Sequence, residues 1–439
     1  MNTKKYLLVL DYLPARINDL KLIKEYVKAQ YDLDMVIVSD MLSGEERNIC
    51  DHVYHLPVST VNYEDEVIKL IKLIKLIKNV EMECACILPF MDAVSGHAAV
   101  IAKRLGLYGD DATLSFAGID KLKFREQESI LETFLHAQNI VTPRSTHVSD
   151  YQQLKAFFEL CPSGVVIKPV DGRANIGVKI VKAIDSLEAS YAASCQAAPG
   201  SSIIAEELIA FDSEFSYDGV GVLSFLTQKV SQLGDYPVEL GQIVPAQCSP
   251  TQALALVKAG QSMNLLSGQR YGAFHNEIKL NSITGKTFLV ETNRRPAGMR
   301  IWDMANKVFG ISLQKIWVDH LVQGFSDTRA IPEPIGSAFL INLLAPEDGT
   351  IKTKINQELM KNEMASLVKK VLNEYKYDII DIKINVKENS PVYKIPKTNN
   401  DFCGYVCVYI DKEKINHAEL MSLINKSWQS IIKDYIHYI

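Results

Sequence analysis

Several common signatures are missing from this chain. No apolar run approaches the roughly 20 residues needed to span a bilayer. The opening segment MNTKKYLLVLDYLPA has the lysines and apolar stretch of a secretory leader, but Asp11 stops that stretch after Leu10, too soon for one. The eight cysteines contain no CxxC pair and no regular framework, which argues against a zinc site and against a disulfide scaffold. Cys84 and Cys86, two apart in a strand-like run, read as buried thiols of a reducing compartment. The formal net charge of −5 lacks the basic excess that marks nucleic-acid binding. The expectation is a soluble cytoplasmic protein that engages neither nucleic acid nor membrane.

Catalytic signatures are missing too. No GxSxG elbow is present, so a serine nucleophile of that type is excluded. SITGKT (282–287) contains GKT, but Leu280 stands where a Walker A loop needs its first glycine. GVGVLS (219–224) lacks the last glycine of a dinucleotide fingerprint.

What remains is ordinary in bulk and specific in detail. At 439 residues the chain predicts two to four folding units, and 47% hydrophobic with 23% charged residues suits a real core. YLLVL (6–10), MVIV (35–38) and CACILPF (84–90) are strand-like, separated by the helical patterns LKLIKEYVKAQY and VIKLIKLIKLIK and followed by AAVIAKRLGL. That alternation implies a parallel sheet with crossover helices. In VIKLIKLIKLIK (67–78) the lysines drift around a helix, and the preceding Glu64, Asp65 and Glu66 suit a helix N-terminus, so a partly buried crossover helix is expected. A helix is expected from Asp120 to about His136, then strands GVVIKPV and NIGVKIV, strand pairs through SIIAEELI and EFSYDGVGVL, and a helix at IWDMANKVFG. Beyond about residue 330 AFLINLL, YDIIDIKI and YVCVYID read as strands, with helices at 356–374 and 417–434, forming a smaller α+β unit.

The stretch from Tyr271 to Arg295 carries the most chemistry. AFHNEIKL and KTFLVETN flank a polar turn with Gly285, the pattern of a β-hairpin. Glu277 and Glu291 can converge on such strands, and Asn293 shares a face with Glu291. Two carboxylates and an amide oxygen suit Mg²⁺ that is also held by substrate phosphates. Arg295 follows where it can reach the same phosphates, and His275 shares the face of Glu277. Lys168 leaves a buried strand beside DGRANIGV, whose backbone N–H groups can close over phosphates. Glu206 and Glu207 end another apolar strand, with Glu214 after a turn.

In this order the motifs resemble those of the ATP-grasp superfamily, specifically the carboxylate–amine ligases related to L-amino-acid ligases, over nearly the whole chain. The resemblance implies a multidomain α/β and α+β fold. Residues 1–112 would be a Rossmann-like first domain ending in LPFMDAVSGHAAVIAKRLGLYG, and 113–330 the nucleotide-binding module with a central lid at about 145–210. Residues 331–439 would be a C-terminal subdomain containing GYVCVYID. DKLKFREQ is similar to the module's opening, which makes Lys121 the phosphate-binding residue, with Arg125 as its competitor. VVIKPVDGRANIGV is similar to the strand, lysine and phosphate loop. Lys168 would contact the α- and β-phosphates, with Arg173 and Asn175 as donors in a loop poorer in glycine than is usual. IIAEELIAFDSEFSYDG is similar to the adenine hinge, implying nucleotide contacts from Glu206, Glu207 and Ile209 and ribose contacts from Glu214. YPVELGQIVPA resembles the stretch before the metal hairpin. FHNEIKL and VETNRRPAG are similar to that hairpin, with Glu277, Glu291 and Asn293 on Mg²⁺ (or Mn²⁺) and Arg295 on phosphate. The implied activity is ADP-forming amide synthesis through an acyl phosphate, for which a dipeptide is the leading product. Biotin-carboxylase-like and purine-biosynthesis enzymes, or a non-catalytic nucleotide-binding module, are the alternatives. The partners would be a carboxylate, probed by His275, Arg295 and Arg300, and an amine, in a protein of a kind that often dimerises.

Overall fold

A computed structural model describes residues 4–77, 82–172, 175–232, 238–324, 330–412 and 414–438. The first sheet is wholly parallel, in the order His52–His55, Asp34–Ser39, Lys4–Leu10, Met82–Pro89. Three of its strands carry near-continuous apolar runs because both faces are covered, whereas the edge strand His52–His55 is partly exposed. Leu7, Val9, Met35 and Ile37 face one core with Leu20, Ile23 and Val27 of the helix Ile17–Tyr31. Tyr6, Leu8, Leu10, Val36 and Val38 face the opposite core, where Val67, Ile68 and Ile74 of the helix Tyr63–Ile77 join Val94 and Ile101 of the helix Asp92–Leu105. The lysine-rich repeat is therefore a crossover helix with its apolar side on the sheet, and Glu64, Asp65 and Glu66 lie in its first turn.

A second sheet has eight antiparallel strands. Its order is Lys286–Asn293, Ala273–Asn281, Ser213–Val220, Leu223–Ser231, Glu239–Val244, Ser337–Leu343, Gly404–Ile410, Tyr377–Ile384. Three strands beyond residue 330 thus continue the sheet that carries the hairpin, while Pro391–Val392, Gly349–Ile351 and Ile436–Tyr438 form a small antiparallel sheet of their own. The helix Pro250–Leu266 backs the hairpin, its Leu256, Ala259 and Met263 packing with Phe274, Ile278, Leu280 and Leu289. A capping box of Ser249 and Gln252 with proline in the first turn starts this helix. Gly260 lets it approach the sheet, since a Cβ there would lie 2.1 Å from the Tyr217 ring.

Another antiparallel sheet runs Ser145–Val148, Ile203–Glu207, Val165–Pro169, Lys179–Val181. The helices Tyr151–Glu159 and Leu187–Ala197 cover it through Leu154, Phe157 and Leu187. Here the sequence expectation needs correcting. SIIAEELI and EFSYDGVGVL do not pair with each other, because the first belongs to this sheet and the second to the eight-stranded one. The segment expected as one helix to His136 is two, Lys121–Ile130 and Glu132–Ala137. Among the described residues no helix is long and apolar enough to cross a membrane.

Candidate active site

The hairpin forms as its alternation demands. Glu277 is the direct cross-strand partner of Glu291, and His275 that of Asn293, so all four side chains share one face. The register shifts immediately after Glu277, which sets the polar end of the hairpin apart from its apolar tip. Asn293 donates from Nδ2 to the His275 carbonyl at 3.2 Å, which leaves its Oδ1 as the atom available to a ligand.

Residues distant in sequence fix the carboxylate of Glu277. Lys229 donates to Glu277 Oε1 at 2.6 Å and to Glu239 Oε1 at 2.7 Å, with its own side chain 2% exposed. His275 Nε2 lies 3.3 Å from the same Glu277 oxygen, while its Nδ1 meets Asp218 at 2.6 Å. Asp218 is fully buried and accepts from Ser216 and Thr227. Burial opposes a charge on His275, but Asp218 outweighs it and lifts the imidazole to about 9. Burial likewise opposes the Glu277 carboxylate, yet Lys229 and His275 hold it well below the usual range. Both partners bond Oε1, and no described residue bonds Oε2.

Three cations surround this face. Lys121 opens a helix capped by Asp120; its Nζ donates to the Gly172 carbonyl at 2.8 Å and lies 3.6 Å from Glu291 Oε2. Lys168 pairs with Glu206 Oε2 at 2.7 Å, and burial pulls its pKa down despite that partner. The other Glu206 oxygen accepts from Arg125 Nε at 2.9 Å, and Arg125 also grips Glu128 and the Leu289 and Val290 carbonyls. Arg125 is thus committed within the protein, whereas Lys121 reaches the hairpin carboxylate. Burial opposes ionised Glu206, but Arg125 and Lys168 overcome it and bring the carboxyl to about 2. Arg295 donates from Nε to Asp92 Oδ2 at 2.6 Å, and its Nη2 lies 3.5 Å from Asn293 Oδ1.

These groups line one cavity of about 770 Å³, as do Asn175, Glu207, Ile209 and Glu214. Val166, Ile180, Leu208, Phe211 and Phe288 supply apolar wall. The Glu207 carboxylate is held by both Nε and Nη2 of Arg144, each at 3.0 Å. Glu214 accepts from Ser231 and lies 3.6 Å from Lys279. Arg173 lies outside the described residues. Arg300 does not line the cavity: its guanidinium meets Asp381 at 2.7 Å and the Tyr405 hydroxyl at 3.3 Å, on the strands Tyr377–Ile384 and Gly404–Ile410. Asp92, Lys229, Glu239 and Gln242 line or brace the site from three elements, the last two sharing the strand Glu239–Val244. The stretches LPFMDAVSGHAAVIAKRLGLYG and YPVELGQIVPA contain three of them, without marking a role for any.

Among the described residues no three His, Cys, Asp or Glu side chains are grouped to hold a metal ion unaided. The set of Glu277, Glu291 and Asn293 is all hard oxygen, with Glu277 Oε2 and Asn293 Oδ1 unclaimed by strong bonds, so it fits Mg²⁺ whose remaining positions are filled by water and phosphate. No sequence-family model matches the chain, and no curated protein matches it by sequence. Solved structures do. L-amino acid ligase from Bacillus licheniformis superposes with a TM-score of 0.69 at 16% identity, covering 100% of both chains. N5-carboxyaminoimidazole synthetase from Staphylococcus aureus, complexed with ADP, gives 0.64 at 14%, covering 98% of this chain and 99% of its own. The chain has the ATP-grasp fold. A third ATP-grasp structure, the biotin carboxylase domain of Hydrogenobacter thermophilus 2-oxoglutarate carboxylase with MgADP and bicarbonate, gives 0.59 at 14%, covering 93% and 87%.

Proposed function

We propose that the protein is an ATP-dependent carboxylate–amine ligase that makes an amide, foremost a dipeptide, and releases ADP and phosphate. The observation that carries this reading is the facing pair Glu277 and Glu291, with Asn293 beside them, in a cavity ringed by Lys121, Lys168 and Arg295. Such a site suits a triphosphate, and the apolar wall with Phe211 and Phe288 suits a base. Three structural neighbours with this fold are named as ligase, synthetase and carboxylase, which supports nucleotide-driven activation of a carboxyl group.

A free carboxylate does not accept an amine until its oxygen becomes a good leaving group. In the first step a carboxylate oxygen attacks the γ-phosphorus, and the bridging P–O bond breaks with its electron pair passing to ADP. In the second the amine lone pair forms the C–N bond. The C–O bond to phosphate then breaks with its pair leaving on phosphate, and the nitrogen releases a proton. The transferred group spreads negative charge over its oxygens, so catalysis is chiefly positioning and cationic stabilisation. Lys121 and Lys168 hold phosphate oxygens, and Arg295, oriented by Asp92, stabilises the oxyanion that forms as the amine adds. A divalent cation on Glu277, Glu291 and Asn293, when bound, offsets the charge of the phosphate oxygens. The sheet Ser145–Val148 to Lys179–Val181 would close over the nucleotide as a lid and keep water from the acyl phosphate.

The test is a matrix of amino acids, supplied singly and in pairs with Mg-ATP, read by phosphate release and product mass. Amine-dependent phosphate release with a condensed product supports the reading. Release with bicarbonate alone would redirect it to carboxyphosphate chemistry, and no release with any pair would leave a nucleotide-binding module.

A further inference from the structure

Every carboxylate that lines the cavity, apart from the metal-binding pair, can be asked what each of its oxygens bonds. Glu206 has Arg125 on one and Lys168 on the other. Glu207 has Arg144 on both. Glu239 has Lys229 on Oε1 and Gln242 on Oε2. Glu214 meets Lys279 and Ser231, and Asp171, exposed, accepts from Ser201. Asp92 differs. Its Oδ2 accepts from Arg295, but its Oδ1, in a residue only 9% exposed, has no hydrogen-bond partner among the described residues.

A buried carboxylate oxygen left without a donor costs on the order of 1–3 kcal/mol or more, so this one, on the cavity wall, is placed to accept from a ligand there. Its position narrows the ligand. Asp92 begins the helix Asp92–Leu105, which packs on the parallel sheet, so it reaches the cavity from a different sheet than the strands Val165–Pro169 and Ile203–Glu207. It is bonded to Arg295, whose guanidinium lies beside Asn293 Oδ1 at the end of the triphosphate site. A group bonded to Asp92 Oδ1 is therefore a neighbour of the residue that handles the activated carboxyl. A carboxylate or phosphate would be repelled there. A donor bearing positive charge, such as an ammonium, satisfies both the geometry and the charge.

We infer that Asp92 Oδ1 is the docking point for the amine substrate, accepting from its ammonium, which gives one proton to solvent before the freed lone pair attacks the carboxyl group that Arg295 contacts. This rests on the ligase reading and adds to it the residue that selects the second substrate. Asp92 then has two jobs on two oxygens: Oδ2 positions Arg295, and Oδ1 binds the incoming amine.

Asp92→Asn separates the two. The amide oxygen can still accept from Arg295 Nε, while an NH₂ donor replaces the bare oxygen. Two measurements are needed. Calorimetric titration with glycinamide and L-alaninamide, in the presence of Mg-ADP, reads amine binding without turnover. The inference predicts binding to the unaltered protein and a loss of about tenfold or more in Asp92→Asn, the size of one charge-assisted bond. Hydroxylamine, small and largely uncharged at neutral pH, traps an acyl phosphate as a hydroxamate without needing an ammonium anchor. Hydroxamate formed from the accepted carboxylate therefore reads whatever Asp92→Asn costs through Arg295, and the inference predicts a rise of about tenfold or more in KM for the amine substrate beyond that loss, with KM for ATP unchanged. Equal losses of hydroxamate and amide would assign Asp92 to Arg295 alone and overturn the inference, as would equal amide-probe binding in both proteins. If the unaltered protein gives neither hydroxamate nor ADP, the ligase reading itself fails, and the calorimetry still judges the amine site.

Discussion

Glu277 and Glu291 face each other across neighbouring strands at the point where the register of their hairpin shifts. Two like charges placed opposite on a sheet repel and would weaken the pairing. Each is offset from a different direction, Glu277 by buried Lys229 and His275, Glu291 by Lys121 at 3.6 Å. The pair is thus asymmetric: one carboxylate is locked by the protein, and the other, a third exposed, stands toward the ligand space.

Glu291→Ala removes the looser carboxylate. ADP formation should fall by about 10²-fold or more, as for one preorganised charge. Because the side chain is partly exposed, the melting temperature without nucleotide should change little. A coupled ADP assay and a thermal melt read the two effects, and near-normal turnover would refute the assigned role.

Lys229→Met tests the locked carboxylate. The change leaves Glu239 and Glu277 without their shared buried cation, a loss that costs about 3–5 kcal/mol at a fully buried pair and should be smaller here, where His275 stays beside Glu277 and Gln242 beside Glu239. Urea unfolding measures it. Adding Glu239→Gln to the same chain should restore part of the loss, whereas strictly additive losses would show that the three groups are not coupled.

Glu206 links stability to acid. Its folded pKa of about 2 lies below the usual 4.5, so its contribution is complete above pH 4.5 and disappears as pH falls toward 2. Across that window the gap in unfolding free energy between the natural protein and Glu206→Gln should narrow by up to about 1.4 kcal/mol per pH unit. A gap that stays constant from pH 5 to 2 would mean that Glu206 titrates normally.

Arg300→Met separates substrate binding from architecture. The guanidinium joins the start of the helix Ile301–Phe309 to Asp381 and Tyr405, so the variant should lose about 1–3 kcal/mol in chemical denaturation. KM for the carboxylate substrate should stay within about twofold. A tenfold rise in that KM with unchanged stability would return Arg300 to the substrate.

The hairpin was legible because its information is local: period-two alternation places positions 275, 277, 291 and 293 on one face, and a turn fixes the register. The parallel sheet was legible for a similar reason, its strands being apolar on both faces. Where reading failed, the missing information was non-local. IIAEE and SEFSYDGV are adjacent in sequence, and nothing in either says that the chain changes sheets between them. Asp92 and Lys229 look like an unremarked helix start and a strand lysine until tertiary contacts set them against Arg295 and Glu277. Arg300 stood close to the hairpin in sequence, but its left-handed backbone at the start of a helix accompanies a side chain paired with the C-terminal strands.

The eight-stranded sheet also bears on how the protein is made. Ser337–Leu343 is buried along its whole length, and one of its two edges is satisfied only by Gly404–Ile410. A nascent chain halted between those segments presents an oily, unpaired ribbon to its surroundings, a ready seed for association. Frameshifts or stop codons in that interval should therefore yield insoluble product instead of a shortened, folded chain.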